Sequence, residues 1–425
     1  MKKKPVKNKI FIPPPDKSIT HRALILAAVA EGSTVISSPS ICADTAATSA
    51  CLKKMGVRIS ASPGKLTIKG VGLRGLIKPS GPLNSGESGT AMRLLAGLLA
   101  GQEFDSVLTG KGSLLKRPMA RVADPLAAMG AKISSSGGRA PLSIRGSGLI
   151  GTNHKLLVAS AQVKSAILLA ALYAEGPTSI TERLSTRDHT ERLLKHLGAR
   201  ISSGGLNLYL RPGRLTAKNI KVPGDISAAA PFIVAACLLP GFKLTIKGVG
   251  LNPGRTGLIS ALKAMGARIT VKPGAAALEP EGDVIVYGSG LKGVRIRPDE
   301  VPSMIDELPL LALAASGAQS VTVISGVGEL RHKESNRLKT TLELFKTLGL
   351  KAETGKDSLI IKGNQRILGG NPAETFNDHR VAMAAAVAGL LAAKPVKIKG
   401  PGCVDKSYPD FFTDFKKIFC KKTGG

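Results

Sequence analysis

The sequence predicts an α/β protein of two similar domains, each built from repeated units. Three observations carry this expectation. One phrase recurs, as Leu52-Lys-Lys-Met-Gly-Val-Arg-Ile59, Leu126-Ala-Ala-Met-Gly-Ala-Lys-Ile133, Leu194-Lys-His-Leu-Gly-Ala-Arg-Ile201 and Leu262-Lys-Ala-Met-Gly-Ala-Arg-Ile269, with a worn copy at Leu344–Lys351. Each copy reads as a helix end, a glycine just beyond it, and a strand beginning at the basic residue. Alternating strands closed by glycine follow at Leu66–Gly70, Leu142–Gly146, Val284–Gly288 and Leu359–Gly363. Such self-similarity marks a repeated supersecondary unit. Lastly, 425 residues exceed what one core holds, and proline-bearing stretches at 13–15 and 222–225 offer two places to cross between domains.

Taken in order, the chain opens with a strand, Asn8–Ile12, and the connector Pro13-Pro14-Pro15, stiff because its φ angles are fixed. Asp16 or Ser18 then caps an apolar helix, Ala23–Ala30, flanked by Lys17 and Arg22. This start reads either as an anion site at a domain junction or as an ordinary capped helix. Three of the glycine-closed strands run on into Gly-x-Gly-x-x-Gly, at 70–75, 146–151 and 288–293. That spacing binds dinucleotides only where it opens a helix. Ile77-Lys78-Pro79 and Val294–Pro298 read as strands instead, so an inter-strand turn is expected and a nicotinamide site is not. The terminal apolar helix, Phe411–Phe419, lacks a following strand and is read as a sixth unit completed by Asn8–Ile12. Six units divide as three and three.

Several stretches carry more charge or small polar residues than packing requires. Gly86-Glu87-Ser88-Gly89-Thr90 precedes a helix bearing Arg93, and its glycines let backbone N–H groups approach an anion. Lys116-Arg117-Pro118 stands before another helix. Ser160-Ala161-Gln162 opens Val163–Ala171, where capping is the favoured reading of Ser160. Asp306 and Glu307 sit in an apolar run, Met304–Ala315, and carboxylates against apolar walls tend towards raised pKa values and acid/base work. In Arg331–Arg337, if helical, Lys333 and Arg337 share a face beside Glu334. Asp378-His379-Arg380 begins the small-residue helix Val381–Ala393.

The formal net charge is +31, from 60 Lys plus Arg against 29 Asp plus Glu, which suggests anionic partners. Nucleic acid is not expected: there are only 10 Phe, 4 Tyr and no Trp to stack on bases, and no long basic tract. The apolar runs are too short to span a membrane. Met1–Pro5 lacks the apolar stretch of a signal peptide, so the cytoplasm is expected. The five cysteines form no Cys-x-x-Cys pair and the six histidines no His-x-x-x-His, so free thiols and no metal are expected.

Read together, these motifs resemble the 3-phosphoshikimate 1-carboxyvinyltransferase family of enolpyruvyl transferases over nearly the whole chain. The matching stretches are 16–22, 88–93, 116–119, 159–166, 185–192, 223–229, 305–309, 333–337, 378–380 and 406–412. The resemblance implies an inside-out α/β barrel of three βαβαββ units per domain, with the active site in the interdomain cleft. The expected boundaries are 1–15 plus 225–425 for a discontinuous domain and 16–224 for the inserted one, hinged at 13–17 and 222–225. The implied substrates are phosphoenolpyruvate and 3-phosphoshikimate, with no cofactor, and a monomer is expected. By position, Lys17 touches both substrates. Ser18, Arg22, Ser160, Ala161, Gln162, Ser185, Asp306 and Lys333 hold 3-phosphoshikimate, Arg22 at its carboxylate. Gly89, Arg117, Gln162, Arg337, Arg380 and Lys406 hold phosphoenolpyruvate. Asp306 resembles the base on the 5-hydroxyl and Glu334 the acid that protonates the methylene.

Two departures stand out. Glu87 occupies a place where the family usually has Asn, beside the phosphoenolpyruvate phosphate, and Ala161 one where some members have Ser. A rival of the same fold acts on UDP-N-acetylglucosamine, but it leads with Lys-Asn near its N-terminus and lacks the Lys-Glu-Ser-Asn-Arg pattern. A rival of another class, a basic nucleic-acid binder akin to RNA-end cyclases, needs a nucleotide-linked His or a basic stripe, and neither is evident.

Overall fold

The structure, a computed structural model, describes residues 7–420; the Met1–Pro5 stretch read above lies outside them. The chain divides into two compact units, with the cuts after Pro14 and after Val222. No helix among the described residues is long and apolar enough to cross a membrane.

The chain starts with strand β1 (Lys7–Phe11). The inserted unit, 15–222, then repeats one pattern three times: a buried helix, a strand, an outer helix and a hairpin. Its first copy is α1 (Lys17–Ala28), β2 (Glu31–Ser37), α2 (Ala43–Lys54), β3 (Arg58–Ser62) and β4 (Lys65–Val71). The second is β5 (Leu83–Asn84), α3 (Gly89–Ala100), β6 (Ser106–Thr109), α4 (Ala120–Ala128), β7 (Lys132–Ser136) and β8 (Arg139–Arg145). The third is β9 (Asn153–Lys155), α5 (Ala161–Ala171), β10 (Thr178–Thr181), α6 (His189–His196), β11 (Arg200–Gly204) and β12 (Asn207–Arg211). Strand β13 (Ile220–Lys221) closes the unit by pairing in parallel with β2, Ile220 opposite Ile36. Three four-stranded sheets result, ordered β13-β2-β4-β3, β5-β6-β8-β7 and β9-β10-β12-β11.

The other unit repeats the pattern. It runs through α7 (Ile226–Leu238), β14 (Phe242–Gly250), α8 (Gly257–Ala264), β15 (Arg268–Pro273) and β16 (Glu281–Tyr287). Next come β17 (Arg295–Ile296), α9 (Leu308–Ser316), β18 (Thr322–Ser325), α10 (Arg337–Leu348), β19 (Ala352–Thr354) and β20 (Ser358–Ile361). The chain ends with β21 (Ala373–Glu374), α11 (His379–Leu391), β22 (Ile398–Lys399) and α12 (Phe411–Phe419).

The recurring phrase does what its residues dictate. Gly56, Gly130, Gly198, Gly266 and Gly349 follow the outer helices with φ of +89°, +97°, +91°, +91° and +75°, a region a side chain resists. The next N–H folds back, Val57 N onto Leu52 O at 3.1 Å and Ala131 N onto Leu126 O at 3.1 Å, so the strand starts in a fixed direction. In the first four copies that strand begins at the basic residue, as expected. The alternation in β4 buries Leu66 and Ile68 and leaves Lys65 and Lys69 exposed. Each Gly-x-Gly-x-x-Gly leads from one strand towards the next, β8 to β9 and β16 to β17, while 77–79 is irregular and the strand there is β5.

One expectation is corrected. The N-terminal strand does not complete the last repeat: β1 pairs in parallel with β14, Phe11 opposite Ile246, and so completes the repeat that starts at α7. The last repeat keeps a two-stranded sheet, β21-β22. The cause is aromatic packing. Phe11 stacks on Phe232 of α7, centroids 3.9 Å apart, and Phe411 and Phe415 of α12 close over the same ring at 6.0 and 5.5 Å. Burying these rings, each worth about 1.5–3 kcal/mol, holds β1 against α7.

Inside each unit the first helix of every repeat is the buried one. Every residue of α3 is buried, as is α1 from Ile19 onward. Hydrogen bonds join the starts of α3 and α5 directly, and the starts of α7 and α11 likewise, so helix N-termini gather within each unit.

Candidate active site

The inserted unit presents the starts of α1, α3 and α5. Asp16, not Ser18, caps α1: Ile19 N donates to Asp16 Oδ1 at 2.8 Å. Ser18 therefore keeps its hydroxyl for a tertiary partner, Arg187 Nη1 at 3.5 Å. Lys17, the first helical residue, is fixed by Asp44 of α2, Nζ to Oδ2 2.8 Å. Arg22 is buried, and its Nε donates to Thr190 Oγ1 at 2.7 Å, Nη2 to Ser165 Oγ at 2.9 Å and Nη1 to Ser18 O at 2.9 Å. Beside it, buried His21 pairs with Thr48 Oγ1 at 2.7 Å. Burial, with Lys17 and Arg22 adding, pushes the His21 pKa well below its ordinary value.

Ser160 caps α5, accepting from Val163 N at 3.4 Å. Gln162 ties α5 to α3: Nε2 donates to Thr90 Oγ1 at 2.9 Å and Oε1 accepts from Arg93 Nη1 at 2.5 Å. Arg93 also reaches Pro118 O at 3.1 Å, beside Arg117. Gly89 is where the Arg117 guanidinium rests, since a Cβ there would stand 2.5 Å from Arg117 Nη1. Half-buried Glu87 turns onto Gly112, where a Cβ would meet its Oε1 at 2.2 Å. Ala161 is buried at the head of α5 and Ser185 is exposed on the loop before α6. Two of the three helix starts are capped by neutral serines, so their N-terminal partial charges stay available to an anion.

The other unit gathers carboxylates and cations around Arg337. The helix considered for 331–337 does not form: α10 begins at Arg337, capped by Asn336, which accepts from Lys339 N at 3.2 Å. Lys333 and Arg337 instead converge on one carboxylate, Lys333 Nζ at 3.1 Å and Arg337 Nη1 at 2.9 Å from Asp306 Oδ1. Arg337 Nε donates to Asp378 Oδ2 at 2.9 Å, and Nη2 to Glu334. Burial alone disfavours a charged guanidinium, but Asp378, Glu334 and Asp306 together outweigh it and raise the Arg337 pKa.

The apolar surroundings expected for Asp306 and Glu307 are not what the structure provides. Two cations face Asp306. Glu307 is buried against Ser227 Oγ, with Arg380 Nη1 3.9 Å away. Arg380 Nη1 also donates to Ser227 O at 3.0 Å, and Lys406 Nζ to Asn377 O at 2.9 Å. Asp378 belongs to the charged stretch 378–380 that opens α11. It is the fully buried cap of α11, accepting from Arg380 N at 2.9 Å and from Ser335 Oγ at 2.9 Å. Sequence reading missed Arg187, Asp44 and the Thr190–Ser165 pair. Each lies far along the chain from the group it holds, 27 residues for Asp44 and 168 for Thr190, so no local pattern announces it.

Chemically, the inserted unit offers two serine-capped helix starts with Lys17, Arg22, Arg93, Arg117 and Arg187, a setting for phosphates and carboxylates. The other unit offers two carboxylates, Asp306 and Glu334, each within reach of a cation and so able to act on protons beside bound anions.

The family model for EPSP synthase, 3-phosphoshikimate 1-carboxyvinyltransferase, matches residues 1–415. A relative of that name from Coxiella burnetii is 47% identical over 403 residues, 94% of this chain and 92% of its own. One from Bacillus cereus is 44% identical over 409 residues, 95% of each. The solved EPSP synthase of Acinetobacter baumannii superposes with a TM-score of 0.85 at 43% identity, covering 97% of this chain and 96% of its own. The enolpyruvyl transferase NikO from Streptomyces tendae shares the fold, TM-score 0.78 at 16% identity. A match that spans both units, over a chain whose repeats and charged helix starts were read from its own residues, places this protein in the EPSP synthase family.

Proposed function

We propose that the protein transfers the enolpyruvyl group of phosphoenolpyruvate to the 5-hydroxyl of 3-phosphoshikimate and releases phosphate. The observation that carries this reading is the full-length family match together with the Asp306–Lys333–Arg337–Glu334 cluster. Lys17, Ser18, Arg22, Ser160, the Ala161 backbone, Gln162 and Ser185 hold 3-phosphoshikimate, with Lys333 and Asp306, and Arg187 joins them beside Ser18. Lys17, Gly89, Arg117, Gln162, Arg337, Arg380 and Lys406 hold phosphoenolpyruvate. Planar guanidinium groups suit its phosphate and carboxylate because they donate two parallel bonds.

Asp306 takes the proton of the 5-hydroxyl as its oxygen bonds to C2 of phosphoenolpyruvate. Glu334 delivers a proton to C3, giving a tetrahedral adduct. The C2–O bond to phosphate then breaks, the departing phosphate taking up the proton held by Asp306, and a proton leaves C3 to restore the double bond; Glu334, having given up its own proton, receives it. Lys333 and Arg337 hold the Asp306 carboxylate in place, at 3.1 and 2.9 Å from its Oδ1. The reading includes a monomeric cytoplasmic enzyme.

The test is phosphate release measured with each substrate alone and with both. Release that needs both, with 3-phosphoshikimate and not UDP-N-acetylglucosamine as acceptor, is expected. Turnover of the sugar nucleotide alone refutes the reading.

A further inference from the structure

Lys164 lies in the apolar helix α5 with its side chain 1% exposed, and the reaction above gives it nothing to do. Its ammonium has three donors and three acceptors around it: Glu182 Oε2 at 2.9 Å, Glu191 Oε1 at 2.6 Å and Thr186 O at 3.4 Å. Glu182 turns its second oxygen to the Thr186 hydroxyl. The loop 182–186 is thus closed on itself and fastened to α5 by a single side chain. The loop includes Ser185, which is exposed, and is followed by Arg187, whose Nη1 meets Ser18 Oγ.

The far side of the triad leads to the same place. Glu191 follows Thr190, and Lys164 precedes Ser165. Thr190 and Ser165 are hydrogen-bonded to one another at 2.7 Å and both accept from Arg22. Two adjacent pairs, one on α5 and one on α6, therefore hold Arg22 with their hydroxyls and the 182–186 loop with their charges. Stability alone does not account for such a triad, because buried ion groups are often matched or bettered by apolar residues of similar volume. A triad that points three donors at two separate segments does something an apolar residue cannot: it fixes direction. Burial, opposed by Lys164, raises the Glu191 pKa, which fits a dry site.

We propose that Lys164 is a positioning residue, whose buried ammonium sets the Ser185–Arg187 loop against Ser18 and so tunes the grip on 3-phosphoshikimate. This rests on the assignment of Ser18 and Ser185 to that substrate. Lys164 touches neither substrate and acts through the loop.

The experiment compares wild type with K164M and with the triple variant K164M/E182Q/E191Q, in which no buried charge is left unpaired and folding is protected. Melting temperature, 3-phosphoshikimate affinity by calorimetry, and KM for each substrate are measured. In the triple variant, dissociation and Michaelis constants for 3-phosphoshikimate should rise about tenfold or more, while KM for phosphoenolpyruvate changes less than about twofold. A variant that melts lower but binds 3-phosphoshikimate as tightly as wild type overturns the proposal, as does equal loss for both substrates. Failure of the wild type itself to bind 3-phosphoshikimate would instead refute the assignment on which the proposal rests.

Discussion

Replacing Gly89 with Ala tests how tightly the first turn of α3 is fitted to its cation. The new Cβ would stand 2.5 Å from Arg117 Nη1, 2.9 Å from Cζ and 3.2 Å from Arg93 Nη1. Ordinary van der Waals contact begins near 3.4 Å, so the Arg117 guanidinium must retreat by about 1 Å. The fold should tolerate this, because the tip of a flexible side chain moves and Ala is no worse than Gly in a helix. The ligand should not, because a charge-assisted bond to a phosphate oxygen is worth about 1.5–3 kcal/mol. At 1.4 kcal/mol per decade that is about a 10- to 150-fold loss. Steady-state rates with phosphoenolpyruvate varied at saturating 3-phosphoshikimate read it directly. KM for phosphoenolpyruvate should rise at least about tenfold, KM for 3-phosphoshikimate should stay within about twofold, and the melting temperature should hold. In an Arg117→Ala background the Gly89→Ala effect should largely vanish, since the clash then has no partner. If KM for phosphoenolpyruvate stayed within about twofold in the single variant, the placement of Arg117 over Gly89 would have no bearing on the substrate.

Further outcomes follow from the other cluster and from buried titrating groups. Asp306→Asn and Glu334→Gln should each lower kcat by roughly 10²–10⁴ with little change in substrate dissociation constants; intact turnover would show that they only bind. Arg337→Met removes the buried cation shared by Asp306, Glu334 and Asp378, which should cost about 3–5 kcal/mol and lower the melting temperature by about 6–20 °C in a unit of this size, as calorimetry would show. His21 is held neutral in the folded chain while the unfolded chain accepts a proton near pH 6.5, so unfolding free energy should fall as pH drops below about 6.5. His21→Gln should flatten that acid limb in denaturant titrations, and an unchanged slope would remove His21 from the account. Of five cysteines, exposed Cys420 should react quickly with a thiol reagent at neutral pH, while Cys237, its pKa pushed up to about 12 by burial, and Cys51, pushed up to about 11, should wait for unfolding; rapid labelling of either by mass spectrometry would contradict their burial.

The parts of the fold legible in the sequence were those written in short windows. A Gly at +91° after a Leu-x-x-Leu-Gly or Leu-x-x-Met-Gly end needs only its neighbours to be understood, and so does the Ser160 cap. What escaped was written across distance. The pairing of Phe11 with Ile246 depends on Phe232, Phe411 and Phe415 being brought together, which no window contains. Residues 331–337 carry helix-compatible spacing, yet the pull of Asp306 and Asp378 on Lys333 and Arg337 holds them otherwise, a tertiary effect that overrides local preference. The site residues carried in by family resemblance named Arg22 and Arg337; only the structure shows that protein hydroxyls and carboxylates already surround them.

The strand exchange at the two crossings bears on how the chain is made. Strand β1 leaves the ribosome before the inserted unit, and its partner β14 is some 230 residues behind it. At about 5–20 residues per second, β1 waits roughly 12–46 s with one edge unsatisfied. Meanwhile everything from Pro15 to β13 emerges, and β13 pairs with β2 to seal the inserted unit. Only afterwards does Asp225 N find Pro14 O, at 2.7 Å, and Phe11 its place on Phe232. Nascent-chain order thus favours the guest maturing before its host. Lys9, exposed on the waiting strand, is the kind of edge charge that discourages a premature partner in a crowded cell.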